Sequence, residues 1–462
     1  MRHITFGFCL CLLQLITAFG APTVPLQPDI PYANSDPNNV LWTPASGKVP
    51  RPERAGMGGS ILGPQNIPLD LQNADLLAPP STDNGDVDNY KWPFSLSHNR
   101  IMSGGWSRQQ NVHDMYIAEE IAGQKICYIR LPCFLIHIIP SSKGVNMRLE
   151  PGAIREMHWH NTAEWAYVLK GDLRISTITP DGDVWLGDVS EGDLWYFPAG
   201  NPHSIQAKDK SPGGAEFIII FDAGNFSEDS TFLLTDWLAH VPKSVVAKNF
   251  GLGSDLKSFD HIPEDELYIF PSSPPVDDVN KDMVVPNSSP VPYSFKFSKV
   301  IPENKQGGTV KVVDSRTFTA SEKIAAAEVV LDVGGLRELH WHPTQPEWTF
   351  FISGQARITL YAASSNAATY DFYPGDIAYI PPSFGHYIEN IGNTPLKFLE
   401  ILKTDIFQDI SLTQWLALTP PALVKAHLGF SDELINSLKG NTLERSLEYF
   451  VVQITMPDSF ET

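Results

Sequence analysis

The 462-residue sequence is short of cysteine and of positive charge. Of its four cysteines, Cys9 and Cys11 fall in the N-terminal leader, so only Cys127 and Cys133 remain. Two cysteines cannot staple a disulfide scaffold, and the chain must fold around apolar cores instead. An apolar fraction of 42% is enough for that. Lys and Arg number 33 against 53 Asp and Glu, giving a formal net charge of −20 at pH 7. That balance argues against nucleic acid as a partner, because neutralising phosphates needs clustered cations. It also repels anionic substrates, so a site for one must carry local cations of its own. Long apolar runs are absent after the N-terminus. The opening "MRHITFGFCLCLLQLITAFGAPT" has a basic start, an apolar core too short to span a membrane comfortably, and small residues at Ala18 and Gly20. These features predict a signal peptide over residues 1–20, a secreted extracellular protein, and no membrane partner once the leader is removed. The sequons "NFS" at Asn225 and "NSS" at Asn287 are candidate glycosylation sites, Asn287 being the better placed in a Pro/Ser/Asp-rich connector.

What the chain does have is a repeated polar constellation. "IREMHWHNTAEWAYVLKG" (154–171) puts His158 and His160 two apart, on one face of a strand, with Glu164 beyond a short turn. "LRELHWHPTQPEWTFFISG" (336–354) repeats the arrangement with His340, His342 and Glu347. A second element follows each: "EGDLWYFPAGNPHSIQ" contains His203, and "PGDIAYIPPSFGHYIEN" contains His386. His340 lies 182 residues after His158; Glu347 and His386 each lie 183 after Glu164 and His203. A polar cluster under a loop would explain one such set, but not two in register. The spacing is too long for a solenoid repeat and suits a duplicated domain. Three imidazoles and one carboxylate, without thiolate, suit Mn, Fe, Ni or Zn, and leave two positions open on an octahedral ion.

Short runs of Val, Ile, Tyr, Phe and Trp between Gly and Pro turns predict an all-β fold of sandwiches or barrels. The expected organisation is an extended N-terminal arm (21–93), a first domain (94–250), a connector (251–291), a second domain (292–430) and a helical C-terminal tail (431–462). The arm is expected to wrap over the domains or over a neighbouring subunit, which makes a homo-oligomer an expectation too. Pro420–Pro421 reads as a helix start, Ser431 as a cap and Gly440 as a helix stop.

The pattern G-x5-H-x-H-x3-4-E-x6-G followed by G-x5-P…H resembles the signature of the cupin superfamily. It is met over Gly152–Gly171 and Gly192–His203, and again over Gly334–Gly354 and Gly375–His386. "REMHWH", "EWAYVLKG", "GDLWYFPAG", "LTDWLAHVP", "HWHPTQPEWTFFISG" and "GHYIENIGN" together resemble the fungal secreted oxalate decarboxylases, which are bicupins. One departure is Gln206, where many cupins have Asn. The resemblance implies two tandem jelly-roll barrels and two Mn ions per chain, held by His158, His160, Glu164 and His203 and by His340, His342, Glu347 and His386. It implies dioxygen as a further cofactor, and oxalate as the substrate, converted to formate and carbon dioxide.

Arg155 and Arg337 supply the missing cations: each stands three residues before a ligand histidine, and the family's arginine there binds substrate. On an ideal strand an odd spacing would point it away from the histidine, so a bend or bulge at "REMH" is required. Two acids are candidate proton carriers. Glu228 sits in "SEDST", which resembles a Ser-Glu-Asn-Ser-Thr lid in bacterial relatives, with Asp229 in place of Asn. Glu400, in "PLKFLEILK", is an isolated acid on an apolar strand, where burial would raise its pKa. The family assigns that position as proton donor at the second site. Oxalate oxidase, yielding peroxide, is the alternative activity, and a storage bicupin the alternative class.

One stretch breaks the register. From Gly105 to His158 is 53 residues, and from Gly308 to His340 is 32, so the first repeat is 21 residues longer. The excess, within residues 123–144, holds both remaining cysteines and the apolar run "CFLIHII". A translated intron is expected, with an ordinary insertion loop as the alternative.

Overall fold

Each repeat becomes two antiparallel sheets closed into a jelly roll. In this computed structural model the described residues are 79–119, 143–208, 213–224, 226–253 and 256–443, with the two-residue strands Ile30–Pro31, Pro50–Arg51 and Ile454–Thr455. In the first unit, Val184–Ser190, Asp172–Ile178, His203–Ala207 and Ile154–Trp159 lie side by side in one sheet. The other contains Leu194–Phe197, Glu164–Lys170, Ala215–Phe221, Lys143–Leu149 and Gly105–Gln110. The second unit repeats this order, with Leu336–Trp341 and Gly385–Asn390 in one sheet and Glu347–Ser353 and Leu396–Leu402 in the other. The inner strands are covered on both faces, which buries Trp165, Phe217, Trp348 and Phe398. The motif glycine Gly171 ends a strand with φ +83°, and a Cβ there would stand 2.4 Å from the Gly214 carbonyl oxygen. Only glycine fits that turn without strain.

The units exchange edges. Lys91–Pro93, from the N-terminal arm, pairs with Asp376–Ile380 of the second unit. Ser294–Phe295, at the start of the second unit, pairs with Leu194–Phe197 of the first. Buried polar contacts bridge the two: the Tyr167 hydroxyl donates to Glu328 at 2.5 Å, and Trp348 Nε1 donates to Gln110 Oε1 at 3.0 Å. The described part of the arm also clamps the second unit through Asp83, which accepts from the Thr369 amide and hydroxyl.

Pro421 opens the helix Pro421–Leu428 at its first position, and the Ser431 hydroxyl accepts from the Leu434 amide at the start of Asp432–Leu443. Gly440 is not a stop, because that helix runs through it to Leu443. A glycine inside a helix costs about 1 kcal/mol relative to alanine. Packing of this helix against Leu412–Leu418 offsets so small a penalty. Most of the suspected insert lies outside the described residues; Lys143 and Gly144 open a strand paired with Phe221 and Ile220. Asn225 also lies outside them. Asn287 is half-buried, its side-chain amide bonded to both the amide and the carbonyl of Leu186.

Candidate metal centres

In each unit the sheets deliver four buried side chains to one point. His158 and His203 come from neighbouring strands of one sheet, Glu164 starts a strand of the other, and His160 sits in the link between them. The ligand atoms of His158, His160, Glu164 and His203 lie within 4.8 Å of one another, as do those of His340, His342, Glu347 and His386. Among the described residues these are the two clusters of that kind.

The hydrogen bonds around the rings suit a cation. His158 Nδ1 meets the Glu156 carbonyl at 2.5 Å, His160 Nδ1 that of Thr162 at 2.6 Å, and His203 Nδ1 that of Asn201 at 2.8 Å. In the second unit His340, His342 and His386 meet the carbonyls of Glu338, Gln408 and Phe384 at 2.7, 2.8 and 3.0 Å. A carbonyl only accepts, so each Nδ1 carries a proton and each Nε2 is the atom turned inward; His160, His342 and His386 direct theirs at the motif carboxylate, at 3.2, 2.8 and 3.0 Å. His203 Nε2 and His340 Nε2 have no hydrogen-bond partner despite burial. Burial, followed by the nearby arginine charge, holds His158 and His340 well below the usual imidazole pKa. Burial alone would raise Glu164 and Glu347, but hydrogen bonds and charge from the ring histidines hold both carboxyls well below their usual range. A divalent ion would displace the Nε2 protons and leave neutral imidazoles beside an ionised carboxylate as its donor set.

The bulge that Arg155 and Arg337 require is present in both units. His203 pairs with His158 but Ile205 pairs with Arg155, so two residues, Glu156 and Met157, oppose Ser204 alone. His386 with His340 and Ile388 with Arg337 repeat the slip. Arg155 and His158 are therefore both buried, while Met157 between them is exposed. Arg155 lines one cavity with His158, His160, Glu164, Ile219 and Thr231.

The two arginines are held differently. Arg155 donates to the Tyr268 carbonyl at 3.2 Å and stacks 3.9 Å from the Tyr268 ring centre. Tyr268 adopts φ +52°, an unusual backbone for a large residue. It is kept there by Glu156, whose carboxylate accepts from the amides of Leu267 and Tyr268 at 3.0 and 2.9 Å and from the amide and hydroxyl of Thr235, both at 2.7 Å. Arg337 instead donates to Glu400 at 3.0 Å and to Asp409. Glu400 is thus buried but not isolated: it is paired. Burial still raises its pKa, against the opposing charge of Arg337. The backbone of Glu228 lies in a 3-10 turn, Glu228–Ser230; its side chain lies outside the described residues.

Sequence reasoning missed several supports. Trp195 Nε1 donates to Glu164 Oε1 at 2.8 Å, and the Thr349 hydroxyl donates to Glu347 Oε1. The repeat alone gives no signal for them, since Trp195 is matched by Ala378 and Thr349 by Ala166. Tyr268 and Asp409 come from loops far along the chain and carry no motif.

Comparison with known proteins agrees with this architecture. The cupin family model matches residues 143–257 and 300–436. Oxalate decarboxylase OxdC of Bacillus subtilis is 44% identical over 392 residues, covering 84% of this chain and 95% of the relative. A probable oxalate decarboxylase of Arthroderma benhamiae is 40% identical over 395 residues, covering 84% and 90%. A solved structure of the Bacillus subtilis enzyme, from work assigning the EPR parameters of its Mn(II) centres, superposes with a TM-score of 0.77 at 41% identity, covering 89% of this chain and all of that one. The chain belongs to the bicupin oxalate decarboxylase family of the cupins.

Proposed function

We propose that the protein is a secreted, manganese-dependent oxalate decarboxylase that uses dioxygen as a cofactor and turns over at its first centre. The observation that carries this reading is the pairing of Arg155 with the His158, His160, Glu164 and His203 cluster across one small cavity. Manganese held by those four residues supplies open coordination positions and one-electron chemistry. His340, His342, Glu347 and His386 would hold the second ion.

Arg155 binds one carboxylate of oxalate through two parallel hydrogen bonds, and the ring and carbonyl of Tyr268 keep its guanidinium aimed. It provides the local cation that a chain of net charge −20 needs for an anionic substrate. Ile205, Ile219 and Phe221 wall the cavity with apolar surface that excludes water. Glu228, on the turn beyond, takes the proton of the oxalate monoanion. The carbon–carbon bond then breaks, carbon dioxide leaves, and the proton returns to carbon to give formate. Glu400 occupies the equivalent proton-carrying role at the second centre only if Arg337 releases it. The leader over residues 1–20 directs export, and the acidic composition suits an acidic extracellular medium.

The test measures formate and peroxide from oxalate at acidic pH, with Mn analysis on the same protein and N-terminal sequencing of the secreted form. Formate as the main product with about two Mn per chain supports the reading. Peroxide as the main product would make the enzyme an oxidase.

A further inference from the structure

The two centres share their ligands but not the surroundings of their arginines. Strand register gives the equivalences. Ile219 pairs with Val145 and Ala166, and Glu400 pairs with Ala327 and Thr349, which stand at the matching places of the second repeat. Glu400 therefore occupies the position of Ile219. Leu233 pairs with His158 and Ser411 pairs with His340, so Asp409 occupies the position of Thr231. Around an otherwise repeated arginine, the second unit has placed two carboxylates where the first has a methyl-bearing hydrocarbon and a neutral hydroxyl.

The contacts show what those carboxylates do. Arg337 has no exposed side-chain surface; its Nε reaches Glu400 at 3.0 Å and one terminal nitrogen reaches Asp409. Nη1 is buried without a partner, but each two-pronged face of the guanidinium includes Nη2, which the chain's own acids engage. Asp409 is fixed in turn, because the carbonyl of the preceding Gln408 accepts from His342 Nδ1 at 2.8 Å. The backbone that orients a ligand histidine therefore also delivers the locking carboxylate. An arriving oxalate would have to displace Asp409 from Arg337 and would stand beside its carboxylate and that of Glu400.

We propose that Asp409 is a positioning residue that, together with Glu400, locks Arg337 and closes the second centre to dicarboxylates. Two metal clusters are thereby given different tasks by two substitutions at equivalent positions. The inference rests on the oxalate reading above, and it assigns the selectivity between centres to these acids rather than to the shared ligands.

Calorimetric titration of the Mn-loaded protein with oxalate, without dioxygen, tests it. The wild type is expected to bind one oxalate per chain while holding two Mn. Arg155→Ala should abolish that binding. Arg155→Ala combined with Asp409→Thr and Glu400→Ile should restore one equivalent, now at the second centre, a gain that loss of a merely structural group cannot produce. If this combined variant loses the second Mn, or keeps it and binds no oxalate, the proposal is overturned. The reciprocal change is an independent check: Thr231→Asp, which installs the lock beside Arg155, should bind oxalate at least tenfold more weakly than Thr231→Asn, with both Mn retained. Equal affinities for that pair would also overturn it. A wild type that binds two oxalates refutes the lock while leaving the decarboxylase reading in place, whereas one that binds none refutes the decarboxylase reading itself.

Discussion

Glu156→Gln perturbs the first centre without touching a ligand. The wild-type carboxylate is buried and accepts four hydrogen bonds, two on each oxygen. In glutamine one oxygen becomes an NH2, which would face either the Leu267 and Tyr268 amides or the amide and hydroxyl of Thr235. At least one backbone donor is then left against another donor. Hydrogen bonds to a charged group contribute about 1.5–3 kcal/mol each, so losing one costs about 1.5 kcal/mol or more and losing two about 3 kcal/mol or more. Orienting the NH2 toward Thr235, whose hydroxyl can rotate to accept, is the cheaper arrangement and sets the lower end of that range. In that orientation the Leu267 and Tyr268 amides keep an acceptor but meet a neutral carbonyl in place of a carboxylate, which loosens the hold on the strained backbone of Tyr268 and on the carbonyl and ring that aim Arg155. Misplacing a positioning group by about 1 Å can cost about 100-fold in rate. A partial loosening costs less, and the expected result is a fall of about 3- to 10-fold in kcat/KM for oxalate, mostly in KM, with a lowered urea midpoint. Steady-state kinetics and urea unfolding on one preparation measure both. An unchanged midpoint would refute the hydrogen-bond reading, and an unchanged kcat/KM beside a lowered midpoint would refute the link from Tyr268 to Arg155.

His158→Ala combined with His160→Ala should remove about one of two Mn per chain by elemental analysis, and retention of both would refute the first ligand set. Glu228→Ala should lower formate and raise peroxide from oxalate; an unchanged formate yield would shift the working site to the second centre. The metal-free protein should lose stability as pH falls. His158 and His340 titrate near 6.5 when unfolded but well below when folded, so the unfolded state gains protons first below about pH 6.5; Glu164 and Glu347 add a second loss as pH falls below about 4.5. His342, raised by its bond to Glu347 despite burial, opposes the first of these, and urea midpoints rising from pH 7 to pH 5 would contradict the scheme. Peptide mapping of the secreted protein should find Ala122 joined through one glycine to Val145, and peptides from within residues 125–143 would refute the intron. Lys143 bears on that expectation: it is buried with its ammonium on Gln109, where the second unit places Ala325, and the joined chain would place Ala122.

Local spacing carried much of this molecule. Two histidines at i and i+2, a glutamate past a turn and a histidine after the next glycine turn are all determined by strand alternation, and the need for a bulge followed from the odd spacing of Arg155. Contacts between distant segments were not legible. Nothing in "LKFLEILK" says that Glu400 meets Arg337, 63 residues earlier, or that Asp409 joins them. Tyr268 sits in a connector whose composition reads as a loop, and its role exists only because Glu156 reaches it. Gly440 misled because a helix propensity of about 1 kcal/mol is a weak signal against packing.

The exchanged edges set a timetable for synthesis. Trp92 finds its partner in Ile377, about 285 residues further along the chain. At about 5–20 residues per second, roughly 15–60 s separate the emergence of the two. Closing a β-hairpin takes microseconds, so the strands around His158 and His203 can form long before Lys91–Pro93 has anything to pair with. The end of the arm, though made early, is thus among the last segments to dock, and a nascent chain cut before Asp376 would carry an edge strand with no native neighbour.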